Sequence, residues 1–139
     1  MKVKDAMRRG TNCVDPDTPV VTIAKCMRDA DVGAILVSAN GRLVGIVTDR
    51  DIACRAVALD GKIDKLTAKD IMTKDVICCS PDDDLTMAIK AMEYKKVRRM
   101  PVTDVHKAMV GMLSLGDISH KMSIEQSGEV LRAVSAHHR

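Results

Sequence analysis

The sequence predicts an α/β (α+β) fold made of a tandem repeat, each copy a small sheet packed with helices and the two related by a pseudo-twofold axis. Three observations carry this. First, Gly45-Ile46-Val47-Thr48-Asp49-Arg50-Asp51-Ile52 returns as Gly111-Met112-Leu113-Ser114-Leu115-Gly116-Asp117-Ile118. Each version reads as a short apolar strand, a hydroxyl residue at its end, and an aspartate three residues later. Second, a shift of 65 places Asp5-Ala6-Met7 on Asp70-Ile71-Met72, Cys13 on Cys78, Pro16 on Pro81 and Val37 on Val102. One extra residue before Gly111 makes the shift 66 from there on. Third, Val20, Ile23, Ala24 and Met27 recur at the same helical spacing as Leu85, Ala88, Ile89 and Met92. A copy of about 55 residues lies near the lower limit for burying an adequate core alone, so the copies are expected to pack on each other. The domain reading is repeat 1 over 1–66, repeat 2 over 67–124 and a C-terminal helix and tail over 125–139.

Taken in order, Lys4 to Arg8 reads as a short helical segment and Asn12 to Val14 as an extended piece. Asp15-Pro16-Asp17-Thr18-Pro19 is a turn, with Thr18 as the expected N-cap and Pro19 at the first helical position of a helix reaching Ala30. Ala34 to Val37 and Leu43 to Val47 are strands joined by the hairpin signal Asn40-Gly41. Asp49 to Ala58 is a helix with Ile52, Ala53, Ala56 and Val57 on one side, followed by a connector from Asp60 to Thr67 with Gly61 as the stop signal. In the second copy, Asp75 to Cys79 is extended, Ser80 to Asp84 is the turn, and Leu85 to Tyr94 is helical. Met100 to Val102 and Val110 to Leu113 are strands flanking a turn at Asp104 to Lys107, and Gly116 to Met122 begins a helix. Glu125 to Ala136 is a further amphipathic helix carrying Val130, Leu131 and Val134, suited to capping the module or meeting a partner, and His137-His138-Arg139 is expected to fray.

Composition narrows the function. Apolar residues make up 46%, yet Phe and Trp are absent and Tyr94 is the only aromatic. Base stacking on aromatic rings is therefore unavailable, and a net charge of +3 with interspersed signs does not suit a nucleic-acid partner. No apolar run approaches the roughly 20 residues of a membrane span, and no signal peptide is visible. The five cysteines, Cys13, Cys26, Cys54, Cys78 and Cys79, follow no metal-ligand spacing and read as buried thiols in a reducing cytoplasm. Cys13 and Cys78 occupy matching positions, so a bridge between the copies stays open. No Gly-x-Ser-x-Gly, no Walker loop and no nucleophile–base pair is present, so the reading is of a protein without catalysis or a resident cofactor.

The unit of Asp-Ile-Met, a Pro-led turn, a helix, a hydrophobic-Pro-Val strand and a closing Gly-h-h-Ser/Thr-x-x-Asp resembles the CBS domain, and two in tandem resemble a CBS pair, or Bateman module. The chain is similar to the small stand-alone CBS-pair proteins of the hypoxic response protein type. That resemblance implies a regulatory module binding an adenosyl ligand (AMP, ADP or ATP, with S-adenosylmethionine or NAD as wider members) in clefts between the repeats, in a homodimer. It implies that Asp51 and Asp117 accept hydrogen bonds from ribose hydroxyls and that Thr48 and Ser114 bond ribose or phosphate. Asn12 with Cys13, and Ile77 with Cys78, would line the adenine pocket, with Met100-Pro101 on its other side and Ile35 at the position matching Met100. Arg50, Arg98 and Arg99 would be the phosphate contacts, since a guanidinium fork matches phosphate oxygens. In the first copy Leu36 stands in place of Pro101, and Gly33-Ala34 in place of Arg98-Arg99.

Plainer roles stand beside these. Thr48 and Ser114 are equally suited to capping helices, and Asp51 and Asp117 to sitting in first helical turns. A ligand-free dimerisation or protein-interaction module, and a thiol redox switch at Cys13 or Cys78, are the competing functions. Asp117→Ala is expected to leave the melting of the ligand-free protein largely unchanged.

Overall fold

The computed structural model describes residues 1–10, 12–58 and 62–136. A 3₁₀ turn at Val3–Asp5 leads into β1 (Arg8–Arg9), followed by β2 (Cys13–Val14), α1 (Val20–Ala30), β3 (Ala34–Ala39), β4 (Arg42–Thr48) and α2 (Asp49–Asp51), which runs on as a π-helical stretch, Ile52–Val57. A 3₁₀ turn at Ile63–Lys65 and α3 (Ala68–Ile71) precede α4 (Leu85–Lys95), β5 (Arg99–Thr103), β6 (Met109–Ser114), α5 (Leu115–Ser119) and α6 (Ile124–Val134). There are two three-stranded sheets, ordered β2-β3-β4 and β1-β6-β5. In the first, β2 runs parallel to β3 and β4 antiparallel to it; in the second, both pairings are antiparallel. The α/β class and the repeat expected from the sequence are thus present.

Two compact units result, one of Thr11–Val76 and the other of Met1–Gly10 with Ile77–Arg139. Each is completed by the leading segment written before the other copy. In the second unit, Val3 N–H donates to the Asp83 carbonyl, Lys4 N–H to Pro81 and Leu85 N–H to Met1, each at 2.9 Å. In the first, Ala68 N–H donates to Thr18, Lys69 N–H to Pro16 and Val20 N–H to Leu66, again at 2.9 Å. Shifted by 65, these are the same bonds. The surface pairs Lys4–Asp82 at 2.9 Å and Lys69–Asp17 at 2.7 Å repeat as well, and exposed pairs of this kind add little. The larger contribution is apolar. Val3 is fully buried with Leu85, Met92 and Leu113 in one core, and Ala68 and Ile71 are buried with Val20, Ile23 and Val47 in the other.

These docked segments explain several departures from the sequence reading. The helix expected over Lys4 to Arg8 stops at Asp5, because Arg8 and Arg9 pair with Met112 and Gly111 of β6. Thr18 does not cap α1; its carbonyl receives Ala68 N–H, and the Leu66 carbonyl satisfies the first free donor of the helix instead. In the stretch after α2, Ala56 is buried and Ile52 half-buried, but Ala53 and Val57 are exposed. The wider π turn shifts the side that faces the core. In α6, Val130 and Val134 are buried and Leu131 is 48% exposed. The hairpin is as expected, with Asn40 at φ 54° and Gly41 at φ 77°. Gly61 and the three terminal residues lie outside the described residues.

Gly111 tests how closely the first leader is held. A Cβ there would fall on the backbone carbonyl oxygen of Arg8, whereas one at the matching Gly45 would meet chiefly the flexible Met72 side chain, at 2.6 Å from its sulfur. Gly111→Ala should therefore destabilise by about 2 kcal/mol or more, and Gly45→Ala by less. Urea unfolding of both variants measures this; equal losses would mean that β1 is not pressed against β6.

Candidate functional site

Both strand–helix junctions are capping boxes. At the end of β4, Thr48 Oγ1 accepts Asp51 N–H at 3.1 Å, and Asp51 Oδ2 accepts Thr48 N–H at 2.9 Å. At the end of β6, Ser114 Oγ accepts Asp117 N–H at 3.0 Å, while Asp117 Oδ2 accepts Ser114 N–H at 3.1 Å and the Ser114 hydroxyl at 2.7 Å. The capping role weighed for Thr48 and Ser114 is therefore real. It leaves the other carboxylate oxygen, Oδ1, for further partners. Asp51 is 13% exposed and Asp117 is 9% exposed, so each carboxylate is held rigidly with little water around it.

Different cations face the two carboxylates. Arg8 Nε donates to Asp117 Oδ1 at 2.9 Å. Arg55 Nε stands 3.7 Å from Asp51 Oδ1, with Nη1 committed to the Ile71 carbonyl at 3.1 Å and the Thr73 hydroxyl at 3.2 Å. Neither arginine was a sequence candidate. The repeat does not mark them: a shift of 65 puts Arg8 on Thr73, and a shift of 66 puts Arg55 on Lys121. Each unit places an arginine near its carboxylate, supplied from a different element.

The remaining candidates divide by unit. Asn12, Cys13 and Ile35 line one hollow of about 420 Å³, together with Val14, Cys26, Asp29 and Ala30. The residues of α1 in that wall were not anticipated. Arg50 is exposed in the first turn of α2. In the other unit, Ile77 is half-buried and Cys78 exposed at the start of the copy. Arg99 pairs with Ser114 across the sheet, and Met100 and Pro101 are buried, Met100 within the apolar core. Arg98 turns elsewhere: its Nη2 donates to Ser135 Oγ at 3.1 Å, at the end of α6, and its carbonyl receives Leu115 N–H at 2.9 Å.

A family model described as "CBS domain" matches residues 3–56 and again 68–124. The chain belongs to the CBS-domain family. CBS domain-containing protein YhcV of Bacillus subtilis is 34% identical over 134 residues, 96% of this chain and 94% of the relative. Among solved CBS structures, Hypoxic Response Protein I with two coordinated zinc ions has TM-score 0.79 at 27% identity, covering 88% of this chain and 100% of that one. The CBS domain pair of protein MJ0100, in complex with 5′-methylthioadenosine and S-adenosyl-L-methionine, has TM-score 0.76 at 26% identity over 88% and 100% of the two chains. Among the described residues of this CBS pair, no group of three or more His, Cys, Asp or Glu could hold a metal ion, and no helix is long and apolar enough to cross a membrane.

Among the described residues no disulfide links the cysteines of the CBS pair, and the expectation of buried thiols holds only for Cys79, since Cys13, Cys26, Cys54 and Cys78 are exposed. Burial, with smaller contributions from Asp83 and Cys78, pushes the Cys79 thiol up to about 12. Burial likewise raises Cys78, against the opposing pull of Lys107 and Thr103. A thiol raised above its unfolded value near 8.5 stabilises the fold fully below that pH and loses the contribution as pH climbs towards the folded value. At pH 8, iodoacetamide should label the exposed Cys13, Cys26 and Cys54 faster than Cys79 by about tenfold or more. Peptide mass spectrometry over a time course reads the order; labelling of Cys79 at the common rate would show that its unit opens freely.

Proposed function

We propose that the chain is a non-catalytic regulatory module that binds an adenosyl ligand, AMP or ATP first among the class, with S-adenosylmethionine and NAD as further members. The observation that carries this is the repeated junction in which a nearly buried carboxylate keeps Oδ1 clear of its own capping box. A carboxylate can accept both hydroxyls of a ribose diol, and Asp51 and Asp117 take that role. The adenine is read without stacking, by apolar walls such as Val14 and Ile35, with Asn12 offering an amide donor and acceptor. Arg50 and Arg99 are the phosphate contacts in their units. The adenosyl ligands held by the structural relative MJ0100 support the same class.

Regulation requires that the ligand favour one of two states, since it acts only through differential affinity. The same reading takes the chain as a cytoplasmic homodimer acting on a protein target. In support of a protein target, α6 leaves Ile124 and Leu131 exposed.

Thermal melts and titrations with AMP, ATP, NAD and S-adenosylmethionine test the proposal. At free ligand about 100 times its dissociation constant, stabilisation of about 2.7 kcal/mol is expected. Asp51→Ala and Asp117→Ala should each remove binding at their own junction. Asp117→Ala will also lower the melt of the ligand-free protein, by about 1 kcal/mol for the lost cap, rather than leave it unchanged. Titrations below the melting range therefore decide the matter. If no ligand of the class binds ligand-free protein, the interaction-module reading takes its place.

A further inference from the structure

The two junctions share a backbone but not a hydrogen-bond balance. A carboxylate offers about four acceptor positions. Asp117 uses three: two on Oδ2 for the Ser114 N–H and hydroxyl, and one on Oδ1 for Arg8. Asp51 uses one, for the Thr48 N–H. A vicinal diol needs two acceptors at once. Asp51 can supply them directly. Asp117 can do so only by giving up Arg8 or the Ser114 hydroxyl.

Arg8 itself is poised towards solvent. Its side chain is 79% exposed, and only Nε is bonded, leaving both terminal nitrogens without a partner among the described residues. An uncharged nucleoside that takes Oδ1 from Arg8 leaves a guanidinium without its counter-charge. A nucleotide carries a replacement, because phosphate oxygens fit the guanidinium fork. At Asp51 a diol displaces no hydrogen bond: Arg55 Nε stands 3.7 Å from Oδ1, and its Nη1 is held by the Ile71 carbonyl and the Thr73 hydroxyl.

Resting on the reading of Asp51 and Asp117 as diol acceptors, we propose that Arg8 makes the Asp117 site more selective for anionic nucleotides than the Asp51 site, which admits uncharged adenosyl compounds as well. Arg8 is a specificity-determining residue supplied by the N-terminal segment.

Calorimetric titration of the full chain with AMP and with adenosine tests this, using Asp51→Asn to leave the Asp117 site alone. In that variant AMP should bind about tenfold or more tightly than adenosine. Adding Arg8→Gln, which keeps the backbone pairing of β1, should weaken AMP and strengthen adenosine, bringing the ratio towards one. Arg8→Lys should fall between. A ratio unchanged by Arg8→Gln overturns the proposal while leaving the diol sites standing. A parallel loss of both ligands overturns it too, by marking Arg8 as merely structural, as does failure of the Asp51→Asn protein to bind AMP. Undiminished binding by the Asp51→Asn, Asp117→Asn double variant instead sinks the diol reading itself, and this proposal with it.

Discussion

The bond from Lys4 N–H to the Pro81 carbonyl and the bond from Lys69 N–H to the Pro16 carbonyl are one interaction made twice, each at 2.9 Å. Everything else in the two units is arranged around it. The Pro-led turn presents its carbonyls outward, and the leading segment supplies the N–H groups that meet them. In the same step it buries Val3 in one core, and Ala68 with Ile71 in the other. Its far end then pairs with the strand that leads to the carboxylate: Arg8 with Met112, and Thr73 with Ile46. A leader thus fixes the turn, the first residues of the long helix and the strand beneath the site together.

This arrangement also accounts for features that would otherwise look incomplete. The N-cap position of α1 is Pro19, with no side-chain cap, yet the first turn does not lack partners, because Leu66 accepts from Val20. Among the described residues, no buried side-chain nitrogen or oxygen lacks a hydrogen bond. The matching helices α1 and α4 end alike, with Asp31 at φ 53° and Lys96 at φ 56°, and with Val32 and Val97 reaching back to the carbonyls of Met27 and Met92. Each αL residue turns the chain into the next strand, which sets the direction of β3 and β5 and the position of the junction beyond.

Much of this was legible in the residues. The repeat, the hairpin at Asn40-Gly41 and both junctions depend on local spacing, and local spacing survives folding. Which copy receives which leader was not legible, because Asp5-Ala6-Met7 and Asp70-Ile71-Met72 are interchangeable in pattern. The expected Thr18 cap failed for the same reason: a distant segment had taken over the work. Ala53 and Val57 were misplaced because the spacing argument assumed 3.6 residues per turn where the backbone is π-helical. At the site, the sequence located Asp51 and Asp117 but not the cations facing them. Arg8 lies 109 residues from Asp117, and only the docking of the leader brings them together.

That docking has a thermodynamic consequence. β1 is two residues long and both are exposed, which places it at the low-stability end of its unit. Its backbone completes the sheet while its Arg8 side chain balances Asp117, so the two roles draw on the same free energy. Linkage is reciprocal: whatever shifts Arg8 on or off the carboxylate must change the docking of the leader by the same amount in return. At Asp51 the link is indirect: Arg55 belongs to the helical run that carries the carboxylate, stands 3.7 Å from it, and reaches the other leader through the Ile71 carbonyl and the Thr73 hydroxyl. A duplicated backbone has therefore produced two junctions of equal geometry and unequal coupling, and the difference lies in where along the chain each arginine is written.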